Sequence, residues 1–169
     1  MLSEEDILEI DEFLLRQKTL SIETPNWTES SRPNEYEARW PLEDNSGVLI
    51  AHVIFRFNYN GQISISLIFR NKPIWRIDIV DEFESKPNPP DAHIYDLPAE
   101  IVGNHEHQWN DNKEYIKQNG LGSLPYRRSL KPQIRQFQHA MPHFMNAVNV
   151  ETDANTWKFD LPREQQLPL

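Results

Sequence analysis

Within "GNHEHQW", residues 103 to 109, two imidazoles stand two positions apart, at His105 and His107. Alternate residues of a strand point to one side, so an extended chain here turns both rings to the same face. Histidine titrates near neutrality, binds metals and exchanges protons, and the pair therefore supports three readings. Both rings could hold one ion, with Asp78 or His93 as a third ligand. One ring could serve as base and the other as acid without a metal. The rings could also be ordinary structural or solvated histidines. A cupin is rejected, because its His-x-His is followed within a few residues by Glu and then Gly, whereas here Glu114 and Gly120 come too late. No His-Glu-x-x-His occurs. The expectation is no tightly held zinc and no cofactor.

A second polar pair lies upstream. In "PIWRIDIV" Arg76 and Asp78 alternate with Trp75, Ile77 and Ile79, so the two polar residues share one face and the three apolar ones the other. If the "HEHQW" strand joins the sheet beside Arg76 and Asp78, four polar groups converge. Arg76 would then face a phosphate, Asp78 would orient an imidazole or Arg76, and His105 and His107 would move protons. On an exposed face, His107→Ala is expected to abolish activity at little cost to stability. His93, Arg127, Arg128 and Arg135 are candidate substrate contacts. The last three belong to "YRRSLKPQIR", which with Lys131 forms a local basic run suited to RNA. His139 and His143 are four apart on a predicted helix, but Pro142 separates them, so a mildly basic helix face is the better reading than a zinc pair. There is no phosphate-binding glycine loop and no Ser-His-Asp signature.

The elements that must position these groups read as a single α+β domain over 1–169: an antiparallel β-meander packed by N-terminal and C-terminal helices. Residues 1–18 hold the first helix, with Ser3 as cap and Ile7, Ile10 and Leu14 on one stripe, joined by Leu8 and Leu15. Residues 20–109 are mainly sheet. Tyr36, Ala38, Trp40 and Leu42 alternate with Glu35, Glu37 and Arg39, and Leu49 to Phe57 at odd positions and Ile63 to Phe69 form apolar faces, with Ile50, Ile54, Ile68 and Val80 diluting the opposite one. A three-residue loop, Tyr59-Asn60-Gly61, sets Phe57 opposite Ile63, whereas a two-residue loop would oppose Phe57 and Ser64. The other face carries His52, Arg56, Ser64, Ser66, Arg76 and Asp78 and is expected to be solvent-exposed. A Pro-rich acidic loop covers 81–100 and contains His93. Residues 110–128 read as a connection with one helical turn. The C-terminal helix is expected over 129–149, capped by Ser129 and kinked or broken at Pro142, and 150–169 is a tail whose end, "REQQLPL", is loosely held.

A formal charge of -9 opposes bulk duplex DNA, whose phosphates require Lys and Arg. It favours a protein partner of opposite charge and leaves room for a local RNA contact. The absence of cysteine removes disulfides and thiolate metal sites. No membrane-spanning run or signal-like start is visible, so a cytoplasmic protein without membrane contact is expected. Oligomeric state is not legible.

The order Arg76-x-Asp78, Asn88-Pro89, His105-x-His107 and a last helix ending "FMNAVNVE" resembles an uncharacterised family of small bacterial proteins, across roughly residues 48 to 152. More distantly it is similar to TumE-like toxins of toxin–antitoxin pairs. It departs from those at Ile79, where they carry Asn, and in lacking their doubled histidine. The resemblance implies a bacterial accessory protein in a toxin–antitoxin or phage-defence setting, with a site acting on RNA or nucleotide phosphate. The rival reading is a non-enzymatic acidic interaction protein, an antitoxin or an inhibitor of a nucleic-acid-binding complex.

Overall fold

Register decides which side chains share a face, and the hairpin around Gly61 has the register that its apolar pattern demands. Phe57 pairs with Ile63 and Phe55 with Ile65, and Asn58 and Gln62 close the three-residue loop. Gly61 sits at φ +84°, where a side chain is unfavourable. The computed structural model describes residues 1–162, so the "REQQLPL" tail lies outside the described residues.

Along the chain, α1 (Glu4–Leu15) precedes β1 (Lys18–Leu20), β2 (Thr28–Glu29) and β3 (Glu35–Glu43). Three long strands follow: β4 (Leu49–Asn58), β5 (Ile63–Phe69) and β6 (Lys72–Ile79). Next come β7 (Ser85–Pro87), a 3-10 turn (Ala92–Tyr95), β8 (Glu100–Val102) and β9 (His105–His107). Then α2 (Trp109–Asn119), β10 (Arg128–Ser129), α3 (Phe137–Ala147), β11 (Val150–Glu151) and a second 3-10 turn (Thr156–Lys158) complete the described fold. The main sheet runs β10-β9-β6-β5-β4-β3-β1-β11, with β2 beside β3. Every pairing is antiparallel except that of β1 with β11. The architecture is α+β, as expected, and no helix among the described residues is long and apolar enough to cross a membrane.

One sheet face is the core. Trp40, Phe55, Ile65, Leu67 and Ile77 are buried in one apolar cluster to which all three helices contribute, through Ile10, Trp109, Ile116, Phe137 and Phe144 among others. A bulge between Leu67 and Ile68 sets Ile74 as an extra residue, so Ile74 and Trp75 both become buried. The second face is only partly exposed, a correction to the expectation of a wet face: Ile54, Ser66 and Ile68 are buried there.

Four local expectations need correcting. In α1 the inward stripe is Ile7, Ile10 and Phe13, while Leu8 and Leu15 are exposed. Ser3 does cap the helix, in a reciprocal box with Asp6. The stretch 109–119 is three turns of helix, because Trp109, Asn112 and Ile116 all reach the interior. Residues 81–100 are no plain loop: β7 pairs with β8 in a two-stranded ribbon. The last helix begins eight residues later than expected, at Phe137, since Arg128 and Ser129 are spent on the sheet edge. Pro142 lies within α3 without breaking it.

Candidate functional site

The edge of the sheet builds the site. β9 lies antiparallel to β6, with Arg76 opposite His107 and Asp78 opposite His105. That register brings four polar side chains to one face, while Ile77 and Glu106 between them turn inward. His105 Nε2 lies 3.3 Å and His107 Nε2 3.1 Å from the same oxygen, Asp78 Oδ2. Arg76 bridges the group: its Nε donates to Asp78 Oδ2 at 2.9 Å, and its Nη2 lies 2.9 Å from His107 Nε2.

Backbone carbonyls set the tautomers. His105 Nδ1 lies 2.9 Å from the Gly103 carbonyl, and His107 Nδ1 lies 2.6 Å from that of Leu124. A carbonyl only accepts, so both Nδ1 atoms carry hydrogen and donate. Both Nε2 atoms then point at the carboxylate. At His107 the Nε2 lone pair accepts from Arg76, and burial holds this ring below its ordinary pKa against the opposing pull of Asp78. At His105 a neutral ring would set its Nε2 lone pair against the same carboxylate oxygen, 3.3 Å away. Burial pushes the Asp78 carboxyl up, but its contacts with His105 and His107 and the charge of Arg76 outweigh it and hold Asp78 well below the usual carboxylate range.

Burial corrects one expectation. His107 is 0% exposed and His105 3%, so neither ring lies on an open surface, and removing His107 is a structural insult as well as a chemical one. Asp78 and Arg76 are the members that solvent reaches, with side chains 18% and 38% exposed.

Two clefts meet at this cluster. The first, about 470 Å³, is lined by Asp78 and His105 together with Arg32, Arg56, Arg76, Lys86 and Arg127. Its only acidic residues besides Asp78 are Glu35 and Glu84, so five basic groups face three acidic ones in a chain whose net charge is -9. The second, about 530 Å³, is lined by His107, Arg76, Arg127 and the 122–125 turn. Arg127 thus stands at both. No protein-family model, curated protein or solved structure matches this chain.

Among the described residues, Arg127 has a guanidinium with no ion pair, and its Nε is buried without a hydrogen-bond partner. Burial, then the charge of Arg76, makes its ionised form costly, with Asp78 acting in the opposite sense. Two buried asparagines hold its loop. Asn88 accepts from Arg127 N at 2.9 Å and donates to Arg127 O and to Pro98 O. Asn112 accepts from Tyr126 N and donates to Tyr126 O and Gln108 O.

The other candidates do not join the site. His93 is exposed and lines neither cleft. Arg128 donates two bonds, of 2.7 and 2.6 Å, to Asp111. Arg135 is exposed, with its Nε on the Pro132 carbonyl, beside a separate depression. The basic run is therefore divided among different surroundings, because its residues lie on a strand and turns and not on one helix. Sequence reading missed the two carbonyls that fix the imidazoles, the clamp of Asn112, and buried Glu106, which meets Gln108, Trp75 and His143. The signal for Glu106 was present: the residue between two same-face histidines must face the other way.

Proposed function

We propose that the first cleft binds the phosphate of RNA or of a nucleotide and that the Asp78–His105 pair transfers a proton beside it. The observation that supports this most is Arg127, a half-buried guanidinium that forms no ion pair among the described residues and stands near a second guanidinium, Arg76. A buried cation without a counter-ion is costly, and an arriving phosphate oxygen removes that cost with charge-assisted hydrogen bonds. Arg76 and Arg127 would neutralise the phosphate. As water or the RNA 2′-hydroxyl attacks phosphorus and gives up its own proton to solvent, a proton held between His105 Nε2 and Asp78 Oδ2, at the cleft wall, would pass to the oxygen that leaves. His107, buried and neutral, would keep Arg76 in place by accepting from its Nη2. The resemblance carried by Arg76-x-Asp78 and His105-x-His107 adds a bacterial, cytoplasmic toxin–antitoxin or phage-defence setting to this reading.

The test is incubation of untagged protein with end-labelled single-stranded RNA and with nucleoside phosphates at low salt, beside Arg127→Gln and Asp78→Asn. The proposal expects turnover by the wild type, weaker substrate binding in Arg127→Gln and lost turnover in Asp78→Asn. Folded wild type that neither binds nor turns over these substrates overturns it. Binding without turnover leaves only the phosphate-binding half and favours an interaction protein.

A further inference from the structure

We infer that Asp78, His105 and His107 form an exchangeable site for a divalent first-row transition ion, with Arg76 as its built-in competitor. The inference rests on the cluster's geometry and goes beyond the phosphate reading. Three ligand atoms, the two Nε2 and one carboxylate oxygen, lie within 4.8 Å of one another. The Nε2 to Oδ2 separations of 3.3 and 3.1 Å come within a few tenths of an ångström of the edges of a coordination shell, since ligands about 2.0–2.2 Å from a tetrahedral ion stand roughly 3.3–3.6 Å apart. The outer arrangement fits as well. Each ring donates Nδ1–H to a backbone carbonyl, of Gly103 or Leu124, which fixes the tautomer that leaves Nε2 free to ligate. Two imidazoles and one carboxylate suit zinc, iron, cobalt or nickel better than calcium, and three protein ligands leave coordination positions open.

Arg76 explains why such an ion would exchange. Its guanidinium contacts both Asp78 and the Nε2 of His107, and so places positive charge at the spot a metal would take. Its side chain is more than one-third exposed, so it can swing away into the cleft without crossing the core. Metal entry displaces the guanidinium, and the guanidinium limits affinity.

The experiment uses untagged full-length protein stripped with a chelator. It is titrated with Co2+ while visible absorption is followed, and then with Zn2+ in competition with a chromogenic chelator. The inference expects one equivalent of Co2+ with ligand-field bands that Zn2+ abolishes. Asp78→Asn should weaken binding at least about tenfold. Arg76→Met should tighten it about tenfold, because a like charge has been removed. Arg127→Gln should leave Co2+ binding unchanged while losing inorganic phosphate, so failure of the metal site and failure of the phosphate reading give different results. Absence of saturable absorption in folded wild type, or wild-type affinity in Asp78→Asn, overturns the inference. Should Asp78→Asn fail to fold, Arg76→Met decides alone: affinity equal to or weaker than wild type refutes the competitor.

Discussion

Replacing His107 by alanine should destabilise the protein by about 3 kcal/mol, although the ring belongs to the candidate site. Three losses make up that figure. The Leu124 carbonyl loses its donor, and a buried polar group left unpaired costs about 1–3 kcal/mol. Arg76 Nη2 loses its acceptor, and a fully buried ring leaves a void that adds roughly 1 kcal/mol or more. For a chain of this length the midpoint of thermal unfolding should fall by about 6–12 °C. His107→Asn is the informative companion, because its amide nitrogen stands where Nδ1 stood and can still donate to Leu124. Urea unfolding followed by tryptophan fluorescence should therefore place Asn between wild type and Ala. A cost below about 1 kcal/mol for Ala, or Asn no better than Ala, would refute the claim that the carbonyl anchors the ring.

Three further outcomes follow from local geometry. Gly61→Ala should cost about 1 kcal/mol in the same unfolding assay, since φ +84° is unfavourable for a residue with a Cβ; a neutral result would show that the loop relaxes. Arg128→Ala leaves the buried Asp111 carboxylate without its bidentate partner and should destabilise by about 3 kcal/mol, whereas the same change at exposed Arg135 should cost under about 0.5 kcal/mol. The Ser3 hydroxyl, then Arg70, hold the Asp6 carboxyl at about 2, below its ordinary 3.8. The folded pKa lies below the unfolded one, so the stability that Asp6 contributes is fully present above about pH 4 and lost as pH falls through about 2. A carboxyl titration by NMR should show that low midpoint, and Arg70→Ala should raise it; an unchanged midpoint would contradict the contact.

Periodicity made the long strands and their shared face legible. The alternation from Leu49 through Phe69 allows one hairpin register that buries the apolar set, and the alternation of Trp75, Ile77 and Ile79 puts Arg76 and Asp78 on one face of their strand. The His105 and His107 pair was legible for the same reason, and its docking against β6 realised the convergence. What failed was governed by non-local packing. Helix α2 was hidden because its interior positions include polar Asp111 and Asn112, which are satisfied by Arg128 and by the backbone of Tyr126 and Gln108. The turn between β5 and β6 places Arg70 and Asn71 at positive φ. Arginine gives little sign of that geometry, although here Arg70 reaches Asp6 and Glu9 of α1. The late start of α3 was hidden because Arg128 and Ser129 carry helix-compatible types yet complete the edge of the sheet. His93 looked like a ligand by type alone, and no spacing rule tied it to the sheet.

Side-chain NMR of the Arg127 Nε–H reads out the proposed phosphate contact at the residue that carries it. With the arginines labelled with 15N and the signals assigned by substitution, inorganic phosphate or a mononucleotide is titrated at low salt. The account predicts a saturable shift of the Arg127 Nε–H signal, accompanied by Arg76, while the Arg128 signal, already held by Asp111, stays in place. Arg127 remaining still throughout the titration, or Arg128 and Arg135 moving as much as Arg127, would contradict it.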